Sequence, residues 1–134
     1  MTFALRPADD RDAALIGEVF AHAFAADPVA SWITPDSSRR ERVLRRLNTS
    51  IARYEGIPRG STWVAEDAGR VVGAAIWQPP RHPLSWRSIP FALTAGAALG
   101  RDIPRMTRVG NAVALARPGE PHWYLQLLGV DPAA

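Results

Sequence analysis

The sequence predicts an α+β or α/β domain in which a sheet is covered by helices. Two observations lead to this class. Short runs rich in β-branched and aromatic residues alternate with longer segments whose apolar residues recur at helical spacing. The length of 134 residues and the hydrophobic content of 47% fit a single domain, residues 1–134, with one core. The predicted order of elements is β-α-α-β-β-(helical insert)-β.

The first strand is predicted over residues 3–6, where apolar and polar residues alternate, and Pro7 closes it. A first helix follows, because either Asp9 or Asp10 can cap its start. Its apolar spacing continues up to the pair Asp27-Pro28, which ends the helix because proline disfavours helical geometry in the residue before it.

A second helix is predicted to begin near Ser37 or Ser38, with Glu41 placed to return a capping-box contact. Gly56 ends this helix. Its apolar residues recur every three to four positions and form one buried face. That face consists of Val43, Leu44, Leu47 and Ile51.

Two β-rich runs, residues 61–66 and 70–78, follow the second helix and are predicted to form an antiparallel hairpin. The segment between them, Asp67-Ala68-Gly69, is a compact turn signal. Pro79-Pro80 then ends the second of these strands.

The last part of the chain is predicted as a helical insert followed by a strand. The insert covers about residues 85–116, and Gly100 and Pro104 divide it into two helices. The aromatic and aliphatic run 122–130 is a strand, which ends at Asp131-Pro132.

The composition argues against several classes of protein. The absence of cysteine excludes zinc ribbons, iron–sulfur clusters and thiol nucleophiles, and three scattered histidines argue against a metal site. The N-terminus lacks a long apolar segment, and no run approaches the roughly 20 apolar residues that span a bilayer. We therefore expect a cytoplasmic protein that binds no metal and no membrane.

The positive charge of the chain is carried by arginine alone, and the formal net charge is +3. Six arginines on the second helix raise the question of nucleic-acid binding. They flank an apolar stripe without interleaved aromatic residues, so a solvated helix face is the better interpretation. The six are Arg39, Arg40, Arg42, Arg45, Arg46 and Arg53.

The final strand and three earlier segments resemble one enzyme family. The strand reads His-Trp-Tyr-Leu-Gln-Leu-Leu-Gly-Val-Asp-Pro over residues 122–132. The earlier segments are Leu5-Arg6-Pro7-Ala8 with Asp12, Ala23-Phe24 with Asp27-Pro28, and Val72-Gly73-Ala74-Ala75-Ile76-Trp77 with Pro79-Pro80. In this order they resemble the GCN5-related N-acetyltransferases over nearly the whole chain outside the insert.

The resemblance implies a mixed, mainly antiparallel sheet and transfer of an acetyl group from acetyl-CoA to a primary amine. The amine, on a small molecule or a protein, attacks the thioester directly and no metal takes part. In this family the fourth strand bulges and leaves peptide groups unpaired for the cosubstrate, and the matching residues here are Leu128, Gly129 and Val130. Gly129 suits this position because it lacks a Cβ.

One expected part of the family pattern does not follow the last strand. In the family a Gly-rich loop that holds the CoA pyrophosphate comes next, whereas this sequence ends at Ala134. We therefore expect an N-terminal portion whose fold is incomplete at the C-terminus, and whether it is active as written stays open. The alternative is a non-catalytic module that forms a homodimer, or binds another partner, through an exposed edge strand.

Candidates for proton transfer lie near the start of the last strand. Strict alternation gives one face of this strand to His122, Tyr124, Gln126 and Leu128. If that face lines the amine cleft, His122 or Tyr124 can relay the proton that the amine loses. The alternative for His122 is a hydrogen-bonded residue at a strand entrance. Glu120 is a second candidate base, and its alternative is a solvated loop acid.

Aromatic residues are the candidates for the acceptor pocket. Trp32 and Trp86 lie in irregular segments and are predicted to wall that pocket, together with Phe24 at the end of the first helix. Core packing is the alternative for Phe24. The tryptophans in strands are expected in the core. They are Trp63, Trp77 and Trp123.

Overall fold

The computed structural model describes residues 2–134 and contains one four-stranded sheet with five α-helices. The sheet is antiparallel throughout, in the order β1-β2-β3-β4, which confirms the predicted fold class. The strands are β1 (Phe3–Pro7), β2 (Thr62–Asp67), β3 (Arg70–Gln78) and β4 (Tyr124–Val130). The helices are α1 (Ala13–Ala23), α2 (Pro28–Ile33), α3 (Ser37–Ile51), α4 (Ser88–Leu99) and α5 (Ile103–Ala116).

The pair Asp27-Pro28 begins a helix as well as ending one. Helix α1 ends at Ala23, and the short helix α2, which the sequence did not predict, begins at Pro28. The side chain of Asp27 caps α2 by accepting a hydrogen bond from the Ala30 N–H at 2.9 Å. Proline fits the first turn of α2, because the N–H groups of a first turn have no partner within the helix and the lack of one costs no hydrogen bond.

Helix α3 carries its apolar face as predicted but has a different cap. Asp36 is the N-cap and accepts a hydrogen bond from the Ser38 N–H at 3.0 Å. Glu41 pairs with Arg45 at 2.6 Å, so the predicted capping-box contact of Glu41 is wrong. The predicted face is buried, and a π-helical turn over residues 52–56 continues the helix to Gly56.

Helices α1 and α3 cross closely at a glycine. A Cβ on Gly17 would collide with the Thr49 side chain and lie 2.7 Å from the Arg45 carbonyl oxygen. This approach lets the apolar side of α1, including the fully buried Ile16 and Phe20, pack between α3 and the sheet. The core therefore lies on one face of the sheet, the face that also bounds the functional site.

The hairpin and the helical insert both match their predicted positions. Ala68 and Gly69 have φ values of 51° and 78°, the left-handed geometry of a tight turn between twisted strands. Gly100, with φ 51°, separates α4 from α5. Ion pairs then connect the insert to the start of α3. They are Arg39–Asp102 at 3.2 Å and Arg101–Asp36 at 2.9 Å.

The other face of the sheet is exposed within the described residues. Several apolar side chains on it are accessible, among them Trp63 at 46%, Trp77 at 37% and Leu128 at 60%. Trp123, at 60% exposure, also lines a shallow pocket with Trp63 and Trp77. The expectation that these three tryptophans lie in the core is therefore wrong for residues 2–134, because the helices cover only the opposite face.

Candidate active site

Strand β4 contains a bulge opposite the junction of Ile76 and Trp77. Ile76 faces Leu127, but Trp77 faces Leu125, so Gln126 is an extra residue on β4. A bulge of this kind re-aims the side chains on either side of it. The resemblance implied that the bulge lies at Leu128, Gly129 and Val130. That position is wrong, because these three residues pair with β3 in regular register and the extra residue is Gln126.

The bulge changes which residues of β4 share a face. Tyr124, Gln126 and Leu127 border the helix-covered side, whereas Leu128 lies on the exposed face. The expectation from strict alternation that Leu128 shares a face with Tyr124 is therefore wrong. One inserted residue resets the period of two on which that expectation depended.

The outer edge of β4 is unpaired within residues 2–134, because β3 is its only neighbour there. The Asp131 N–H donates to the Val72 carbonyl oxygen at 2.8 Å, so the peptide groups of Asp131 face β3. Peptide groups alternate in direction along an antiparallel strand. Those of Gly129 therefore also face β3, and those of Leu128 and Val130 point away, toward the open edge.

Gly129 allows close packing of the sheet against α1. A Cβ at this position would lie 2.9 Å from Cδ1 of Phe20 and 3.1 Å from the Cβ of Ala23. Any side chain at position 129 would therefore meet the core on the helix side of the strand. The open edge of β4 and the missing Cβ therefore lie in different directions.

A large cavity of about 480 Å³ lies between α2, α3, α5 and the bulged part of β4. Its walls are mainly aliphatic, with residues such as Leu47 and Val113 facing across it, and Phe24 contributes to one side. Trp32 and Trp86 do not line it. Trp86 is 69% exposed and stacks with Arg87, so the structure brings only one of the three predicted pocket residues to this cavity.

A polar chain closes the β4 end of the cavity. Arg117 lies over the ring of Tyr124, with Cζ 3.6 Å from the ring centroid, and its Nη1 donates to Oε1 of Gln78 at 3.1 Å. Nε2 of Gln78 then donates to Oε1 of Gln126 at 3.0 Å. The sequence analysis did not assign a role to Arg117, Gln78 or Gln126. The two glutamines could have been noticed, because each is a polar residue within an otherwise apolar strand.

Buried Asn48 adds one more polar group to the cavity. The residue is only 3% exposed, on the face of α3 that borders the cavity. The residue lines the cavity, so its side-chain amide is a polar group that a ligand there can contact. No pattern in the sequence singles it out, because an asparagine in a helix is usually solvated.

His122 lies in a second cleft, of about 260 Å³, that shares Arg117 and Tyr124 with the cavity. Its Nδ1 is 2.9 Å from the Glu120 carbonyl oxygen. Its Nε2 is buried and has no partner in the described part of the chain. The side chain of Glu120 is exposed in the loop before β4.

A histidine–carboxylate contact joins α1 to the end of β4. Nδ1 of His22 is 3.3 Å from Oδ2 of Asp131, and its Nε2 is 3.8 Å from Glu41. The Ala133 N–H and then His22 lower the pKa of Asp131 below its ordinary value, because both stabilise the carboxylate. The sequence showed no partner for His22, since the two residues are far apart in the chain.

Residues 2–134 contain no cluster of three or more histidine, cysteine or acidic side chains able to hold a metal ion. None of the helices in that range combines the length and the apolar character needed to cross a bilayer.

Two similar solved structures are acetyltransferases by description, whereas no family model matches the chain. One is a Corynebacterium glutamicum ATCC 13032 protein described as histone acetyltransferase HPA2 and related acetyltransferase. It is 27% identical with a TM-score of 0.64, and the match covers 100% of this chain and 63% of that one. The other, an agmatine N-acetyltransferase, is 23% identical with a TM-score of 0.50, over 98% of this chain and 61% of that one.

The chain thus spans less than two thirds of the length of either structure. Over the shared part, the antiparallel sheet, the helices on one of its faces and the bulged fourth strand match what the sequence resemblance implied. The chain therefore has the GCN5-related N-acetyltransferase fold.

Proposed function

We propose that this protein transfers the acetyl group of acetyl-CoA to a primary amine. The observation that carries the proposal is the outer edge of β4, where the peptide groups of Leu128 and Val130 have no strand partner among residues 2–134. This edge begins two residues beyond the bulge at Gln126, beside a cavity large enough for a small acceptor. The fold shared with the Corynebacterium acetyltransferase supports the same activity.

Acetyl-CoA is the substrate that we assign to the open edge. The pantetheine arm of CoA carries amide groups, which can pair with the outward N–H and C=O groups of Leu128 and Val130 as an added strand does. The role of Gly129 is then to let β4 approach Phe20, so that the strand lies at the correct depth for this pairing.

The reaction itself requires a neutral amine and an electrophilic thioester carbonyl. The amine nitrogen attacks the carbonyl carbon, a C–N bond forms, and the C–S bond breaks with its electron pair on sulfur. The proton that the nitrogen loses balances the thiolate, giving CoA as a thiol and an N-acetyl amide. A backbone N–H directed at the carbonyl oxygen stabilises the charge that develops there.

His122 and Tyr124 are the residues that we propose for proton transfer. His122 has a buried Nε2 without a partner, and Tyr124 borders both the cleft of His122 and the acceptor cavity. A proton can therefore leave the cavity past the phenol toward the imidazole, through water in the cleft. Glu120 is exposed and lies farther along this route, as an acid that can pass the proton to solvent. A cytoplasmic location belongs to the same proposal.

The experiment that tests this function compares two substitutions at Leu128. Leu128→Pro removes the outward N–H without removing a hydrogen bond to β3, whereas Leu128→Ala keeps that N–H and shortens the side chain. We expect acetyl-CoA affinity, measured by isothermal titration calorimetry, to fall about tenfold in Leu128→Pro. Leu128→Ala should bind as the wild type does. Equal affinity in all three proteins would contradict the assignment of this edge to acetyl-CoA.

A further inference from the structure

We infer that the acceptor is an α-amino acid with a large apolar side chain and that Arg117 binds its carboxylate. This inference rests on the proposed acetyltransferase function, because it concerns which amine that function takes. It follows from three properties of the cavity: its apolar walls, its balance of charge and the unpaired state of one arginine.

The walls of the cavity suit an apolar group rather than a hydrated one. They come from the buried face of α3 and from an apolar stripe on α5 that includes Met106, Val109 and Val113. No residue of α5 is itself buried, so this stripe faces the cavity without filling it. A volume of about 480 Å³ accommodates an aromatic or branched aliphatic side chain. A flexible polar chain lying along these apolar walls would lose hydration that the few polar groups of the cavity do not replace.

The charges around the cavity argue against an acceptor with several positive groups. Asp27 is the only carboxylate among its lining residues, and its Oδ1 already accepts a hydrogen bond from the Ala30 N–H. Arg117 is the charged group at the opposite, β4 end. A polyamine or a guanidinium-bearing amine would place its second cation in an apolar space that also contains an arginine.

Arg117 has no acidic partner within residues 2–134, unlike two arginines of the insert. Arg101 pairs with Asp36, and Arg105 lies 4.0 Å from Asp102. Arg117 instead donates one hydrogen bond to neutral Gln78, and its buried Nε has no acceptor in the part of the chain that the structure describes. A partly buried guanidinium with free donors is a site for a carboxylate, which can accept two parallel hydrogen bonds.

The position of Arg117 specifies which kind of carboxylate fits. Stacking on Tyr124 fixes the plane of the guanidinium, and two successive hydrogen bonds connect it through Gln78 to the bulge residue Gln126. The amine must react near that bulge, so the carboxylate and the amine lie at the same end of the acceptor. An α-amino acid carries both groups on one carbon, and its side chain can then extend along the walls of the cavity.

The test uses two acceptors that differ only in the carboxylate, L-phenylalanine and 2-phenylethylamine, with agmatine as a cationic comparison. Thiol release from acetyl-CoA gives kcat/KM for each, and isothermal titration calorimetry gives binding without turnover. We expect the protein to prefer L-phenylalanine over 2-phenylethylamine at least tenfold, and over agmatine by more. In Arg117→Met, this preference should fall at least tenfold. The exposed Arg108→Met, on the preceding helix α5 and outside the cavity, is the matched control and should keep the preference.

The outcomes separate this inference from the function on which it rests. Acetylation of 2-phenylethylamine as fast as L-phenylalanine, or the same loss of preference in Arg108→Met, would overturn the amino-acid assignment while leaving the acetyltransferase intact. An Arg117→Met effect on the KM of acetyl-CoA alone, equal for all acceptors, would assign the arginine to the cosubstrate and also overturn it. Binding of L-phenylalanine without thiol release from any amine would instead contradict the proposed function.

Discussion

Gly129 and Phe20 show how one residue sets the position of the open edge of β4. The ring of Phe20 is fully buried, and a Cβ at position 129 would lie 2.9 Å from it. The sequence indicated that this glycine allows a close approach, but the nearby atoms belong to α1. The sequence of one strand shows that residue 129 lacks a Cβ, but it does not show which atoms pack against that position.

We expect Gly129→Ala to destabilise the fold by about 1–3 kcal/mol, because the new methyl group overpacks a core that cannot move freely. Thermal and denaturant unfolding measure this change. Gly96→Ala is the control, since a Cβ there meets nothing within 4 Å and alanine is the better helix former. Unchanged stability in Gly129→Ala would show that β4 lies farther from α1 than described.

Some of the predicted site residues border the cavity and others do not, and the difference has a physical reason. Phe24 and Tyr124 border the cavity. Both could be predicted from the sequence, since the helix and the strand that position them were predicted correctly. Trp32 and Trp86 do not line the cavity. Trp32 lies in α2, which the sequence did not predict, and Trp86 lies in the loop before α4, so periodicity gave the direction of neither side chain. Arg117 could not be found from the sequence, because its role depends on the Tyr124 ring and the Gln78 side chain from distant parts of the chain.

Secondary-structure elements were the most predictable part of the molecule. The β2–β3 turn, the face of α3 and the break at Gly100 follow from local backbone chemistry, which is visible in the sequence. The bulge at Gln126 depends on pairing between β3 and β4, which the residue pattern of one segment does not encode. Helix α2 is only six residues long, and its start signal, Asp27-Pro28, also reads as a stop signal for α1.

An ion-pair cluster joins β1, the turn before α1 and β2. Arg6 donates two hydrogen bonds to Asp12, at 2.7 Å and 2.9 Å, and also contacts Glu66 at 2.6 Å. Asp12 is 3% exposed, and the hydrogen bonds from Arg6 lower its pKa below the ordinary value of 3.8. A carboxylate whose folded pKa is lowered stabilises the fold above the unfolded pKa, and this stabilisation is lost as the pH falls through the folded pKa.

The Asp12 carboxylate should therefore contribute to stability at neutral pH and not in strong acid. We expect Asp12→Asn to lower the free energy of unfolding at pH 7 by about 2 kcal/mol, because Arg6 loses its buried charged partner. The difference from the wild type should shrink as the pH falls below 3.8, the ordinary value, and through the lower folded pKa. Urea unfolding at several pH values measures it, and the exposed neighbour Asp10→Asn is the control. A deficit that stays constant from neutral pH into strong acid would contradict the assignment.

Within residues 2–134 the helices cover one face of the sheet, whereas the outer edge of β4 and the opposite face are open. The covered face borders the cavity to which we assign the acceptor, and the edge of β4 is where we assign acetyl-CoA. Such an unpaired edge can also join a second copy of the chain, so the homodimer expected from the sequence stays a prediction. The shared fold covers only 63% of the Corynebacterium structure, so the activity and acceptor are proposals about the complete site.

Amide hydrogen exchange of β4, followed by NMR with and without acetyl-CoA, distinguishes binding of the cosubstrate at this edge from dimerisation through it. In the free protein the N–H groups of Leu128 and Val130 should exchange quickly, whereas those of Gly129 and Asp131 should be protected by β3. Saturation with acetyl-CoA should protect Leu128 and Val130 at least tenfold, at any protein concentration. Protection of Leu128 and Val130 that acetyl-CoA does not change, or that rises only with protein concentration, would contradict the assignment of this edge to the cosubstrate.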